Sequence, residues 1–203
     1  MNTQRALIYA PAGAMKLRNQ CRLPRMKAKN LAEIYETPLL DWNSIESRLA
    51  AGFSQAPRTG GPNRHTYWLA TINDDGSPHI TGIGAMWVDG SLWFETGEHT
   101  RKGRNLARDP RCTLSVASDE FDLVVEGTAA IVTDPTVVAD MAARWAADGW
   151  PARVDESGVA ITAEYSAPSA GRPPWRVYTL IPRAATALKT IDPGGATRWH
   201  FDD

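Results

Sequence analysis

Tyr67-Trp68-Leu69-Ala70-Thr71-Ile72-Asn73 is a short apolar run closed by Asp74-Asp75-Gly76, and the same pattern recurs in Ile80 to Val88, closed by Asp89-Gly90, and in Leu92 to Thr96. Runs of this length, rich in β-branched and aromatic residues and bounded by turn signals, read as strands. Asp-Gly supplies the positive backbone dihedrals that a tight hairpin needs, so the three runs form an antiparallel meander. Tyr67 to Ile72 is apolar on both faces, as expected where one face meets a small barrel's interior and the other meets helices or a second subunit.

Outward from this meander the pattern continues. Thr100 to Arg108 reads as a short helix stopped by Pro110, and Cys112 to Ala117 and Asp122 to Val132 read as strands, with Gly127 a bulge or bend in the second. Asp134-Pro135 is an N-cap followed by proline at the first turn, starting a helix that buries Val138, Met141 and Trp145 and stops at Gly149. Pro168 to Pro174 reads as a loop, and Trp175 to Ile181, Ala184 to Thr190 and Ala196 to Phe201 as three further strands. Upstream, Asp41 caps a helix with Trp42, Ile45 and Leu49 on one stripe, and Gln55 to Arg64 is a loop. The expected fold is mainly β: an antiparallel barrel with a few flanking helices.

Composition agrees with a globular chain. With 203 residues, 43% of them hydrophobic, a core can bury roughly 70% of the unfolded surface without staples. Sixteen glycines and 14 prolines fall far below the quarter of the chain that marks low complexity. The net charge of −1 argues against a surface built for nucleic acid or anionic lipid. Pro78 to Val88 is the longest charge-free strand-like stretch and is far short of the ~18 apolar residues of a spanning helix. Eight tryptophans are many, and tryptophan favours interfaces because its large ring costs little conformational entropy, which points to a dimer.

The charge is unevenly spread. Residues 1–32 carry +7 and no acid, which leaves −8 on the rest. Three readings stay open: a weak signal-peptide core over Ala6 to Met15, a basic arm for an acidic partner, or upstream sequence or disordered extension ahead of a natural start at Met26. Residues 1–30 are accordingly set apart as a basic extension expected to be disordered, with 31–203 as one domain. Cys21 and Cys112 form no metal or disulfide pattern, and His65, His79, His99 and His200 lack metal-site spacing, so no metal is expected. Unpaired thiols fit a reducing cytoplasm.

The chemistry concentrates in Thr96-Gly97-Glu98-His99-Thr100-Arg101-Lys102-Gly103-Arg104-Asn105-Leu106. Thr100 is placed to cap a helix whose first turn carries Arg101, Lys102 and Arg104. Each cation at a helix N-terminus is unfavourable by roughly 0.3–1 kcal/mol, and a bound anion reverses that sign. A solvated basic helix start is the competing reading.

Trp68-Leu69-Ala70-Thr71-Ile72, Asp75-Gly76-Ser77-Pro78-His79-Ile80-Thr81, Val88-Asp89-Gly90-Ser91-Leu92-Trp93-Phe94-Glu95-Thr96 and Thr100-Arg101-Lys102-Gly103-Arg104-Asn105-Leu106-Ala107-Arg108-Asp109-Pro110-Arg111 together resemble the pyridoxamine 5′-phosphate oxidase-like FMN-binding split β-barrel family, in order and spacing across about residues 66–133. The wording is closest to its flavin/deazaflavin oxidoreductase branch. The resemblance implies a homodimeric split barrel holding FMN or the deazaflavin coenzyme F-420 at the subunit interface. It implies a cofactor phosphate on Thr100, Arg101 and Lys102, and cofactor contacts from Thr81, Gly82, Ile83 and Gly84 and from Glu95 and Thr96. Gly82 and Gly84 also suit this physically, because glycine lets backbone approach a flat ring closely, although strand curvature is the plainer use.

Departures bound the reading. The arginine and histidine substrate motif of pyridoxamine phosphate oxidases proper is missing from Trp175 to Phe201, which argues against vitamin B6 chemistry. Arg58 and Arg64 are candidates for a deazaflavin's acidic tail, and Trp87, Trp175 and Trp199 for the walls of an apolar pocket, although packing is the commoner use of such tryptophans. Because a flavin-type ring carries hydride itself, no catalytic amino acid need stand out, and none does. The expected function is hydride transfer to or from a small organic substrate; the alternative is a non-catalytic flavin or haem binding or stress protein of the same fold.

Overall fold

A computed structural model of the chain describes residues 26–56 and 66–201. Ten strands and three helices follow one another as β1 (Met26–Asn30), α1 (Trp42–Ala51), β2 (Thr66–Ile72), β3 (Pro78–Val88), β4 (Ser91–Thr96), α2 (Arg101–Arg108), β5 (Arg111–Ala117), β6 (Phe121–Ile131), α3 (Pro135–Ala147), β7 (Arg153–Val154), β8 (Ile161–Thr162), β9 (Arg176–Lys189) and β10 (Ala196–Phe201). The main sheet has the order β1-β10-β9-β4-β3-β2-β5-β6, all antiparallel, and β6 returns to pair with β9. Six strands therefore close a barrel, and β10 and β1 extend from it as a flap: a mainly β split barrel. Among the described residues no helix is long and apolar enough to cross a membrane.

β9 is the seam. Residues 176–180 pair with β4, residues 184–188 pair with β10, and β6 runs along its other edge. The sequence pattern divides this stretch into two strands at Pro182-Arg183, but it is continuous. Proline lacks a ladder donor, so it is tolerated where the pairing is already irregular. That irregularity is a bulge: Glu126 pairs with Ala184 while Gly127 pairs with Pro182, which leaves Arg183 as the extra residue. A Cβ on Gly127 would lie 2.0 Å from the Ile181 carbonyl oxygen, so only glycine permits so close an approach.

The barrel interior is filled by Leu69, Phe94, Leu114, Leu123 and Leu180, and by Phe94 stacked on Tyr178 with centroids 5.2 Å apart. α1 plugs one end. Asp41 accepts from the Asn43 N–H at 3.2 Å, and the buried stripe is Trp42, Ile45 and Leu49, with Trp42 meeting Trp199 and Phe201 edge to face. A second apolar cluster lies outside the barrel, where α3 packs Val138, Met141 and Trp145 against Trp175, Val177 and Ile161.

Two elements differ from the sequence reading. Met26–Asn30, assigned there to the extension, is an edge strand on β10, and its alternating short pattern with two lysines is typical of a protected sheet edge; residues 1–25 lie outside the described residues. The β7–β8 hairpin is only two residues a side, too short to show a period. Trp175 and Trp199 are core residues, 2% and 1% exposed, and Trp87 packs half-buried against the barrel core. Arg58 and Arg64 lie outside the described residues.

Candidate functional site

β4 delivers the chain to the site. Its residues alternate: Leu92 and Phe94 enter the barrel, while Trp93 joins the outer cluster and Glu95 turns to the same side. The chain leaves at Gly97, and Thr100 caps α2, its hydroxyl accepting from the Gly103 N–H at 3.0 Å and donating to the Gly97 carbonyl at 2.8 Å. Thr96 and Thr100 hydroxyls meet at 3.0 Å. A Cβ on Gly103 would fall 2.3 Å from the Gly97 oxygen, so glycine here lets the helix start directly on the strand exit.

With Gly103 and Arg104 N–H groups satisfied by Thr100, the N–H groups of Arg101 and Lys102 are left at the α2 N-terminus. Arg101 is exposed; hydrogen bonds from Ser77 lower the Asp75 carboxyl and burial lowers the His79 imidazole, with the Arg101 charge adding to each. Lys102 is 2% exposed and its ammonium donates to the backbone carbonyl of Ser169. Burial pushes the Lys102 ammonium down, and the Glu95 carboxylate partly offsets that. Glu95 is 7% exposed, its Oε2 is buried without a hydrogen-bond partner, and desolvation outweighs the pull of Lys102 to push its carboxyl up to about 7. Two ionisable groups are thus buried within electrostatic reach of each other, one with a carboxyl oxygen that has no hydrogen-bond partner, which makes them candidates for a functional site.

The predicted residues do not all present side chains to one place. Glu95, Lys102 and Gly82 converge, because the hydroxyl of Ser169, whose carbonyl holds Lys102, donates to the Gly82 carbonyl at 3.1 Å. Thr81 lies one residue before Gly82 on β3, half-buried, and Gly84 has open space where a side chain would project. Ile83 points the other way, 5% exposed in the barrel core, as the two-residue period of a strand requires; only its backbone can serve the site. Thr96 is fully buried and acts through Thr100.

The sequence reading missed the cover. Pro168 to Pro174, read only as a loop, belongs to a strap of residues 166–174 anchored at both ends. Trp150 donates to the Tyr165 carbonyl at 2.7 Å, and Trp175 exchanges backbone hydrogen bonds with Ile161 at 2.8 and 2.9 Å. The strap's middle docks on the Gly97 N–H through the Ala170 carbonyl at 2.9 Å and packs Gly171 against Thr100. No periodicity announces such a segment; Gly171, with φ +75°, is its one sequence signal. Beyond it a cavity of about 460 Å³ is lined by Thr100, Asp155, Ser157, Arg172 and Arg176 among others. His79 was also passed over; burial, then Arg101 and Lys102, hold its imidazole toward the neutral form.

The site can take an anion at the α2 N-terminus, with a flat group along the glycine edge of β3. The residues present fit a phosphorylated flavin-type cofactor on three observations: a buried ammonium whose partner is a neutral carbonyl, an exposed cation beside it, and a strand edge left clear at Gly84.

Residues 54–171, more than half of the chain, match the family model described as pyridoxamine 5′-phosphate oxidase. The chain belongs to this family. No curated protein matches it. Among solved structures, a pyridoxamine 5′-phosphate oxidase-related, FMN binding protein from Nostoc punctiforme aligns over 82% of this chain and 94% of its own, with 16% identity and a TM-score of 0.55. The conserved hypothetical protein Rv2991 from Mycobacterium tuberculosis aligns over 73% of this chain and 84% of its own, with 22% identity and a TM-score of 0.50. At these identities the likeness establishes the fold, and the pyridoxamine 5′-phosphate oxidase family membership rests on the sequence match.

Proposed function

We propose that this member of the pyridoxamine 5′-phosphate oxidase family is a cytoplasmic homodimeric oxidoreductase that binds FMN or the deazaflavin coenzyme F-420 and transfers hydride to or from a small organic substrate. The observation that carries the reading is Lys102: an ammonium buried at a helix N-terminus, with a neutral carbonyl as its hydrogen-bond partner, is placed for a phosphate. Bound there, the cofactor would supply the hydride chemistry. Lys102, Arg101 and the N–H groups of the first turn of α2 would hold its phosphate. Thr100 fixes that turn, and Thr81, Gly82 and Gly84 offer the strand edge for its ring. Glu95 keeps a negative charge near Lys102 when ionised and so adjusts how strongly the ammonium attracts an anion.

The second copy is supported by the outer barrel wall, where Trp68 is 52% and Ile80 61% exposed on neighbouring strands. Apolar side chains grouped on a sheet face are commonly covered by a partner. Titration of the protein with FMN and with the deazaflavin tests the reading. Arg101→Ala and Lys102→Ala should each weaken binding by at least tenfold, since a charge-assisted hydrogen bond contributes about 1.5–3 kcal/mol. Undiminished affinity in both variants would reject the phosphate site.

A further inference from the structure

We propose that the strap of residues 166–174 is an internal competitor for the anion site: its middle occupies the Lys102 ammonium that a phosphate would use, and ligand binding lifts it. Resting on the reading of Lys102 as a phosphate ligand, the inference adds a moving part to that reading. Ser169 engages both sides of the site at once, accepting from the Lys102 ammonium through its carbonyl and donating to the Gly82 carbonyl through its hydroxyl at 3.1 Å. A phosphate approaching Lys102 must displace the first contact. Such an exchange favours the ligand, because a phosphate brings a full opposite charge to the ammonium where the carbonyl offers only a dipole.

The strap is built so that its middle can leave while its ends stay. Tyr165 is tied by the Trp150 indole, and Trp175 is buried and paired with Ile161. Between these anchors the contacts with the site are few: Lys102 to Ser169, Ser169 to Gly82, the Gly97 N–H to Ala170 at 2.9 Å and Gly171 against Thr100, while the Trp175 indole holds the Gly171 carbonyl at 3.0 Å from the anchor side. Ala170 is the buried apolar side chain of the segment, and one methyl is a small loss on opening. Pro168, Ser169, Gly171, Arg172, Pro173 and Pro174 are exposed, so lifting them uncovers little surface. Gly171 to Pro174 also form one side of the 460 Å³ cavity, so the same movement enlarges the space beside Thr100 for an organic reactant.

The Gly97 amide reports the strap directly, because its acceptor is Ala170. Hydrogen exchange at Gly97 is measured by NMR on the full chain alone, with inorganic phosphate and with FMN, for the wild type, Ser169→Ala and Lys102→Met. The expected result is exchange at least tenfold faster with either ligand, fast exchange without ligand in Lys102→Met, and about three- to tenfold tighter ligand binding by Ser169→Ala, which loses one neutral hydrogen bond of the docked state. Exchange that slows or stays unchanged on ligand binding, or weaker binding by Ser169→Ala, overturns the proposal, since Ser169 would then be a ligand and not a competitor. If FMN fails to bind while phosphate still speeds exchange at Gly97, the strap stands and the flavin reading falls. If neither ligand changes the exchange, the strap falls as well.

Discussion

Phe94 and Glu95 are neighbours on β4 and both nearly inaccessible, one turned into the barrel and stacked on Tyr178, the other turned out toward Lys102. The first side chain gains from every contact it makes. The second is held against its own preference, with an oxygen that has no hydrogen-bond partner and a carboxyl pushed up to about 7. Burial by itself therefore says little about purpose. What separates scaffold from site is whether the buried group is satisfied where it lies, because stability alone would have placed an apolar residue at position 95 or 102.

The largest effect should come from the scaffold side of this pair. Phe94→Ala leaves a cavity beside Tyr178 and is expected to cost about 3–5 kcal/mol, read as a lower urea midpoint with an unchanged slope. Glu95→Gln should do the reverse. The folded carboxyl titrates near 7 and the unfolded one near 4.5, so the native state binds the proton more tightly. Stability from this group is full below about pH 4.5, is lost as pH rises through 7, and stays lost above it. Glu95→Gln is thus expected to raise stability at pH 8 by on the order of 1–3 kcal/mol, with the gain fading toward pH 5; thermal melts across this range would show it. A loss of stability at pH 8 would place Glu95 with the scaffold.

Lys102→Met sharpens the contrast further. A buried charge kept for binding should be removable at a cost of about 1 kcal/mol or less, with the loss appearing in FMN or phosphate affinity instead. A cost of about 3–5 kcal/mol in denaturant would show that the Lys102–Glu95 pair holds the fold together and would erase the distinction. The smallest effect belongs to neither region: Asp140→Ala removes an exposed i, i+4 pair with Arg144 on α3 and should change stability by about 0.3–0.5 kcal/mol, measurable only by careful melts at low salt.

The parts of this molecule that announce themselves in sequence are those governed by local rules. Asp41 and Asp134 cap helices because a short carboxylate satisfies orphan N–H groups, and the Asp-Gly turns fix the meander. Thr100 and the cations after it were legible for the same reason: a charge pattern opposed to the helix dipole stands out within one turn. Ile83 turns its side chain into the barrel because consecutive strand residues face opposite ways, a constraint that a run of names conceals. The division of β9 at Pro182-Arg183 followed the local rule for proline, which the long-range pairing with β6 overrode. The strap's hold on the site depends on segments more than 60 residues apart meeting, as Lys102 and Ser169 do, and nothing in either segment names the other.

The placement of β9 also sets a timetable for the chain. Strands β2 to β6 are made in order and can pair as they emerge, but the ring closes only when Arg176–Lys189 arrives, after α3 and the β7–β8 hairpin. Until then β4 and β6 each have an edge of unpaired backbone groups, and β6 is one of the longest and most apolar strands in the molecule. A nascent chain stalled before Arg176, or a truncation that removes it, would present two open edges at once and would pair with other copies. Yield in the cell should therefore depend on how quickly Arg176–Lys189 follows β6 through the ribosome.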